Sequence, residues 1–190
     1  PRMKNQDGEW VRAVDEADMS RLRTSFKKDG TVTAGNSSGI NDGAAAMLVM
    51  DAERAESLGL KPKLRWIGSA SAGVDPGVMG YGPVPSTQKL LKRFDLTVDD
   101  VELFEINEAF AAQVMGCQRQ LGINADKLNV NGGAIALGHP LGCSGTRIMI
   151  TLMNEMERRA SEVKRPFYGV ASLCIGVGMG VSTLVEWIGD

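Results

Sequence analysis

His139 is the only histidine in the chain, and it lies inside the run GGAIALGHPLGCSG (132–145). A lone imidazole is most often a satisfied structural group, but this setting argues for more. Gly132, Gly133 and Gly138 permit unusual backbone angles and close ligand approach, while Pro140 stiffens the chain beside the ring. A rigid imidazole in such a loop is suited to act as a base or an oxyanion donor. Cys174 closes the apolar run FYGVASLC and opens CIGVGMG. It is either a buried strand cysteine or a thiol presented at a strand-to-glycine turn, where the N–H of Gly176 faces a developing oxyanion. Asn107 follows VELFEI (101–106) and precedes a helical pattern. It suits a helix N-cap, and it equally suits a ligand crevice at the C-terminal end of a strand. Glu108 beside it falls in the first turn of that expected helix, where the macrodipole favours a carboxylate.

Two further loops are small and polar. Ser38 lies in GNSSGINDG, which alone reads as a turn, and Met79 lies in DPGVMGYGP, either lining a pocket or filling core. The glycine-rich histidine loop nearly matches a phosphate-binding loop. His139 and Pro140 stand where Lys and Ser/Thr would be needed, which excludes a nucleotide-hydrolysing reading. GVGMG lacks the spacing of a dinucleotide fingerprint.

The elements that must position these groups follow from pattern. LRWIGSASAG (64–73) reads as a strand, PSTQKLLKRF (85–94) as an amphipathic helix and VELFEI as the clearest strand. Phe110, Val114, Cys117 and Leu121 recur at helical spacing and form one buried stripe. TRIMITLMNEMERR (146–159) is apolar almost all round in its first half, so it is expected as a central helix. FYGVASLC and GMGVSTLVEW read as consecutive strands, antiparallel where they meet. AAAMLVMD (44–51) reads as a buried strand or short buried helix, AERAESLG (52–59) as a helix, and residues 1–30 as a polar, loosely packed lead-in. Strands alternating with helices predict an α/β layer fold with a mixed sheet.

Composition narrows the function. The 190 residues are 43% hydrophobic with a net charge of −2, so no field recruits nucleic acid or an anionic membrane. No run of 18 apolar residues exists to span a bilayer. The three cysteines, at 117, 143 and 174, are widely spaced, which argues against a disulfide framework or zinc site and fits a reducing compartment. The chain begins PRMKNQDGEW, with Pro rather than Met and no secretory pattern, compatible with a processed chain or a fragment.

Taken together, NEAFAAQ (107–113), NVNGGAIALGHPLGCSGTRI (129–148) and SLCIGVGMG (172–180) resemble the three C-terminal signatures of the thiolase family, in the family's order. TVTAGNSSGINDGAAA (31–46) and VDPGVMGYGPVP (74–85) also look like thiolase, so the likeness covers nearly everything from Leu22 onward. It implies the C-terminal half of a subunit: a lead-in over 1–30, then a domain over 31–190 built on a five-stranded mixed sheet with a central buried helix. It implies reversible Claisen condensation of coenzyme A thioesters, with no cofactor or metal. By resemblance, His139 activates a nucleophilic cysteine and then donates to the thioester oxygen. Asn107 fixes a water of that oxyanion hole, Cys174 removes and returns the α-proton, and Gly176 donates in the second oxyanion hole. Ser38 contacts the pantetheine arm of coenzyme A, and Met79 lines its tunnel.

Two departures stand out. The family's Cys-x-Ser-Gly nucleophile motif does not occur here, so the partner expected is an N-terminal thiolase half, in a homodimer or homotetramer of the complete enzyme. Val177 stands where the family carries a third consecutive glycine. If that site needs φ > 0, a β-branched residue is strained there. Val177 is also the one feature favouring the alternative, a catalytically silent thiolase-like module that binds coenzyme A or docks on a partner. The expected location is the cytoplasm, or an organelle matrix in a eukaryote.

Overall fold

A computed structural model describes residues 2–4, 7–12 and 15–189. A short antiparallel ribbon, β1 (Arg2–Lys4) and β2 (Trp10–Arg12), comes first, followed by α1 (Glu16–Ser20). Part of the expected lead-in (residues 1, 5, 6, 13 and 14) lies outside the described residues. α2 (Ala52–Ser57) is capped by the Asp51 side chain, which accepts from the Glu53 N–H. β3 (Leu64–Gly73) leads through a 3-10 turn at Pro76–Tyr81 into α3 (Pro83–Arg93). Then come β4 (Val101–Ile106), α4 (Ala111–Leu121), α5 (Ala134–Leu137), α6 (Leu141–Arg159), β5 (Tyr168–Ile175) and β6 (Met179–Trp187).

The main sheet has the order β3-β6-β5-β4. β6 runs antiparallel to both neighbours and β5 runs parallel to β4. The sheet is therefore mixed, as expected, but among the described residues it has four strands rather than five.

Helices cover both faces, and the period of two along each strand sorts the core. Phe104, Ile106, Val170 and Leu184 turn toward α3 and α4, where they meet Leu90, Leu91, Val114, Cys117 and Leu121. Leu103, Ala171 and Val185 turn the other way, onto Ile148, Leu152 and Met156 of α6. Val114, Cys117 and Leu121 of the apolar stripe are thus the buried face of α4, while Phe110 is the half-buried N-cap just before it, and among the described residues α6 is the sole long helix on its side of the sheet.

α3 is also fastened by hydroxyls. Buried Ser182 lies 2.7 Å from Ser86, 2.9 Å from Thr87 and 2.8 Å from Ser172, Oγ to Oγ. Each hydroxyl in the cluster has a partner, as burial requires.

The run 44–51 is corrected by the structure. Residues 40–51 belong to no helix or strand and are mostly exposed, with Ile40 89%, Leu48 76% and Val49 67% accessible. An apolar run shows what is fit to be buried, not what buries it, and no described strand pairs with this one.

Three strand ends meet at one sheet edge. β3, β4 and β5 point the same way, so the 3-10 turn carrying Met79, the loop from Asn107 and the β5–β6 hairpin all emerge together. This is the edge where open α/β sheets present ligand crevices.

Candidate active site

Asn107 continues the parallel pairing beyond β4: its N–H donates to the Ser172 carbonyl at 2.9 Å. Its side chain is fully buried, and Nδ2 donates to His139 Nε2 at 3.3 Å. Asn107 Oδ1 has no donor among the described residues, so it is free to accept from a bound water or substrate. Asn107 is not a helix cap, because α4 begins only at Ala111 and is capped by Phe110. Glu108 accordingly is not in its first turn.

His139 is held on its other side by a residue that the sequence reading did not single out. Its Nδ1 lies 2.6 Å from Ser144 Oγ, and the Ser144 hydroxyl donates to the Pro140 carbonyl at 3.0 Å. The Ser144 donation to Pro140 and the Asn107 Nδ2 donation to Nε2 together fit the tautomer that carries its proton on Nδ1. Burial and the nearby Arg147 guanidinium push the imidazole below its ordinary pKa, so it rests neutral at neutral pH. A neutral ring with its lone pair on Nε2 is the form a general base needs.

Ser144 escaped notice because α6 was expected to start at residue 146. It starts at Leu141, directly after Pro140, and this places Ser144 five residues past His139 on the first helical turn. A Ser five residues after a loop histidine was the signal available. The expected continuous loop 129–145 is likewise interrupted by the four-residue α5.

Cys174 is half-buried on β5, opposite Gly180 of β6. It lies two residues past Ser172, the partner of Ile106, so about 7 Å separates it along the strand from the Ile106 pairing level. Burial raises its pKa above the ordinary thiol value, so Cys174 rests protonated.

The hairpin after it is a three-residue loop, Gly176–Val177–Gly178, closed by the Ile175–Met179 pair. Val177 adopts φ +69, the left-handed conformation that disfavours a β-branched residue, with 82% of its surface exposed. Gly178, at φ +89, is packed so that a Cβ there would lie 2.4 Å from the Val74 carbonyl oxygen. The Val74 N–H donates to the Gly178 carbonyl at 2.8 Å, which pins the hairpin to the segment leading to Met79.

Ser38 is drawn into the same cluster. Its N–H and hydroxyl both donate to the Ala109 carbonyl, at 3.0 and 3.2 Å, and the His139 N–H donates to the Gly39 carbonyl at 2.8 Å. The segment around Ser38 thus threads between the Asn107 and His139 loops. Met79 is half-buried on the 3-10 turn, which packs against α4, β5 and β6.

Beneath these loops lies a charged layer. Buried Glu105 sits 3.9 Å from Arg147, beyond hydrogen-bond distance, and the Arg147 terminal nitrogens have no hydrogen-bond acceptor among the described residues. Burial pushes the Glu105 carboxyl up to about 8, against the pull of Arg147. Burial would also raise Glu155, but hydrogen bonds from Arg158, Asn131 and Arg159 overcome it and bring that carboxyl down to about 2.

Among the described residues, no group of three or more His, Cys, Asp or Glu side chains is placed to hold a metal ion. Nor is any helix long and apolar enough to cross a membrane.

Comparison with known proteins fits this arrangement. Residues 60–187 match the family description "Thiolase, C-terminal domain", and residues 3–53 match "Thiolase, N-terminal domain". The chain is 54% identical over 179 residues to an acetyl-CoA acetyltransferase of Chromobacterium violaceum, covering 94% of this chain and 44% of that protein. The crystal structure of the Bacillus anthracis acetyl-CoA acetyltransferase matches with a TM-score of 0.86 at 41% identity, over 98% of this chain and 48% of that one. Human mitochondrial 3-ketoacyl-CoA thiolase, solved in complex with CoA, matches with a TM-score of 0.80 at 43% identity, over 90% and 42%. The chain therefore spans less than half the length of each relative. With the C-terminal description alone matching two thirds of its residues, the chain belongs to the thiolase family.

Proposed function

We propose that this chain supplies the acid/base half of an acyl-CoA C-acyltransferase site, catalysing reversible Claisen condensation and thiolysis together with a half that carries the nucleophilic cysteine. The observation that carries the reading is the placement of the His139 ring, with Nε2 3.3 Å from Asn107 Nδ2 and Nδ1 2.6 Å from Ser144 Oγ. In this reading His139 takes the proton of the nucleophilic thiol and returns it to a thioester oxygen or leaving group. Asn107 Oδ1, buried and lacking a donor, holds the water that completes the oxyanion hole.

Cys174 works from its thiol form. In the cleavage direction it protonates the carbon of the leaving enolate and becomes a thiolate. In the condensing direction that thiolate removes the α-proton. Gly176 N–H faces the enolate oxygen, and one such donor is typically worth roughly 10²–10³ in rate. Ser38 and Met79 border the coenzyme A arm. Because the Ser38 hydroxyl already donates to Ala109, it meets the ligand as an acceptor.

The missing half is the partner proposed for residues 40–51. Met47, Leu48 and Val49 of this run join Leu60, Trp66, Met149 and Met153 around a groove of about 670 Å³. The match of residues 3–53 to the N-terminal domain description supports pairing of this run with that half. A homodimer or homotetramer in a reducing, aqueous compartment completes the proposal.

The strained turn at Val177 favours a second reading, in which the pocket is retained without turnover. One experiment separates the two. The chain is joined to the cysteine-bearing half of its own parent and assayed for thiolysis of acetoacetyl-CoA. Turnover that falls at least about 10³-fold in both His139→Ala and Cys174→Ala supports the enzyme. An inactive joined chain that still binds coenzyme A supports the silent module.

A further inference from the structure

We propose that Glu108 is a positioning residue that sets His139 against Asn107. Glu108 directly follows Asn107, and its carboxylate is engaged by the segment 129–135 that leads to His139. Oε2 accepts from the Ile135 N–H at 3.1 Å, and Oε1 accepts from Asn129 Nδ2 at 3.2 Å. Ile135 lies in the first turn of α5, a four-residue helix capped by Gly133 with no side-chain cap of its own. The carboxylate supplies the partner that this helix end lacks, and its charge suits the positive end of the peptide dipoles.

α5 runs through Gly138, at φ +104, straight into His139. One residue therefore fixes both members of the 3.3 Å Asn107–His139 pair. Its backbone holds the first, and its carboxylate holds the element that carries the second.

Asn129 anchors the other end of the link. Its Oδ1 accepts from the Ile106 N–H and its Nδ2 donates to the Ile106 carbonyl, each at 2.8 Å. Its own N–H donates to the Phe104 carbonyl at 2.9 Å. Asn129 pairs with the edge of β4 as a further strand would, and Glu108 locks onto it. The packing leaves no slack, since a Cβ on Gly133 would lie 2.5 Å from Glu108 Cδ.

A glutamine at 108 keeps the shape but offers one acceptor oxygen for two N–H donors, so it holds α5 less firmly. Alanine releases it. The single histidine makes this measurable in the 190-residue chain by NMR. In Glu108→Ala, protection of the Ile135 amide from hydrogen exchange falls by at least about tenfold, and the His139 ring signal broadens or splits. Glu108→Gln shows the same changes to a smaller degree, and carries the test if the alanine variant does not fold. A kinetic arm rests on the function proposed above. In the chain joined to its cysteine-bearing half, Glu108→Ala lowers kcat by about 10–100-fold with KM within about twofold, and Glu108→Gln recovers part of the loss. Unchanged Ile135 and His139 signals in Glu108→Gln overturn the proposal. So does a loss of kcat that merely follows a lowered unfolding midpoint. If the joined wild-type chain shows no thiolysis, the functional reading fails, and the NMR arm still decides the role of Glu108.

Discussion

Ser144 Oγ lies 2.6 Å from His139 Nδ1, and its hydroxyl donates to the Pro140 carbonyl at 3.0 Å, which leaves an oxygen lone pair for Nδ1–H. We propose that this serine on the first turn of α6 selects the tautomer of a ring on the preceding loop. Ser144→Ala removes the acceptor and lets the proton move to Nε2, the nitrogen proposed as base. The 15N shifts of the single imidazole report this directly. The wild-type chain shows Nδ1 protonated, and the variant shows a mixture or the reverse. In the joined enzyme kcat falls on the order of 10²-fold, within the roughly 10²–10⁴ that general acid–base catalysis contributes. A wild-type ring protonated at Nε2 contradicts the assignment.

Val177 carries strain that a glycine would release. A non-glycine residue in the left-handed conformation costs roughly 1–2 kcal/mol, and the entropy glycine loses on folding returns about 0.5–1 kcal/mol of that. Little burial is lost, since the Val177 side chain is 82% exposed. Val177→Gly therefore stabilises the chain by up to about 1 kcal/mol, read as a higher urea midpoint at unchanged slope. A lowered midpoint would show that the valine makes contacts worth more than its strain.

Glu105 gives stability a pH slope. Its carboxyl is raised by burial from 4.5 to about 8 in the folded chain. Between those values the folded chain keeps a proton that the unfolded chain has lost. The stability from this group is full below about pH 4.5 and is lost as pH rises through about 8. The loss approaches ~1.4 kcal/mol per pH unit inside that window. Glu105→Gln flattens this slope and gains most over the wild type at pH 8. Urea unfolding at pH 5.5 and pH 8 checks it, and equal pH dependence in the two proteins refutes it.

How legible all this was in the sequence varies with range. VELFEI and LRWIGSASAG are strands with the expected bounds, because each is a short apolar run closed by polar or glycine residues. The α4 stripe was legible because helical spacing fixes a face. The strained turn at Val177 was foreseen from residue type alone. What failed depended on partners distant in sequence. The run 44–51 has strand composition but finds no strand to pair with. The start of α6 was misplaced because glycine and serine after Pro140 look like loop, whereas packing against the sheet winds them into helix. Ser144 went unrecognised because it acts through the early helix start, and Glu108 was read as a first-turn carboxylate because its bond to Ile135, 27 positions away, is not visible in the sequence.

Cys174 is the group proposed to move the α-proton. The direct measurement is exchange of the acetyl-CoA methyl protons with D2O, followed by NMR, in the chain joined to its cysteine-bearing half. Deuterium incorporation is expected for the wild type and its loss in Cys174→Ala, with the unfolding midpoint retained. Exchange that persists undiminished in Cys174→Ala would contradict it.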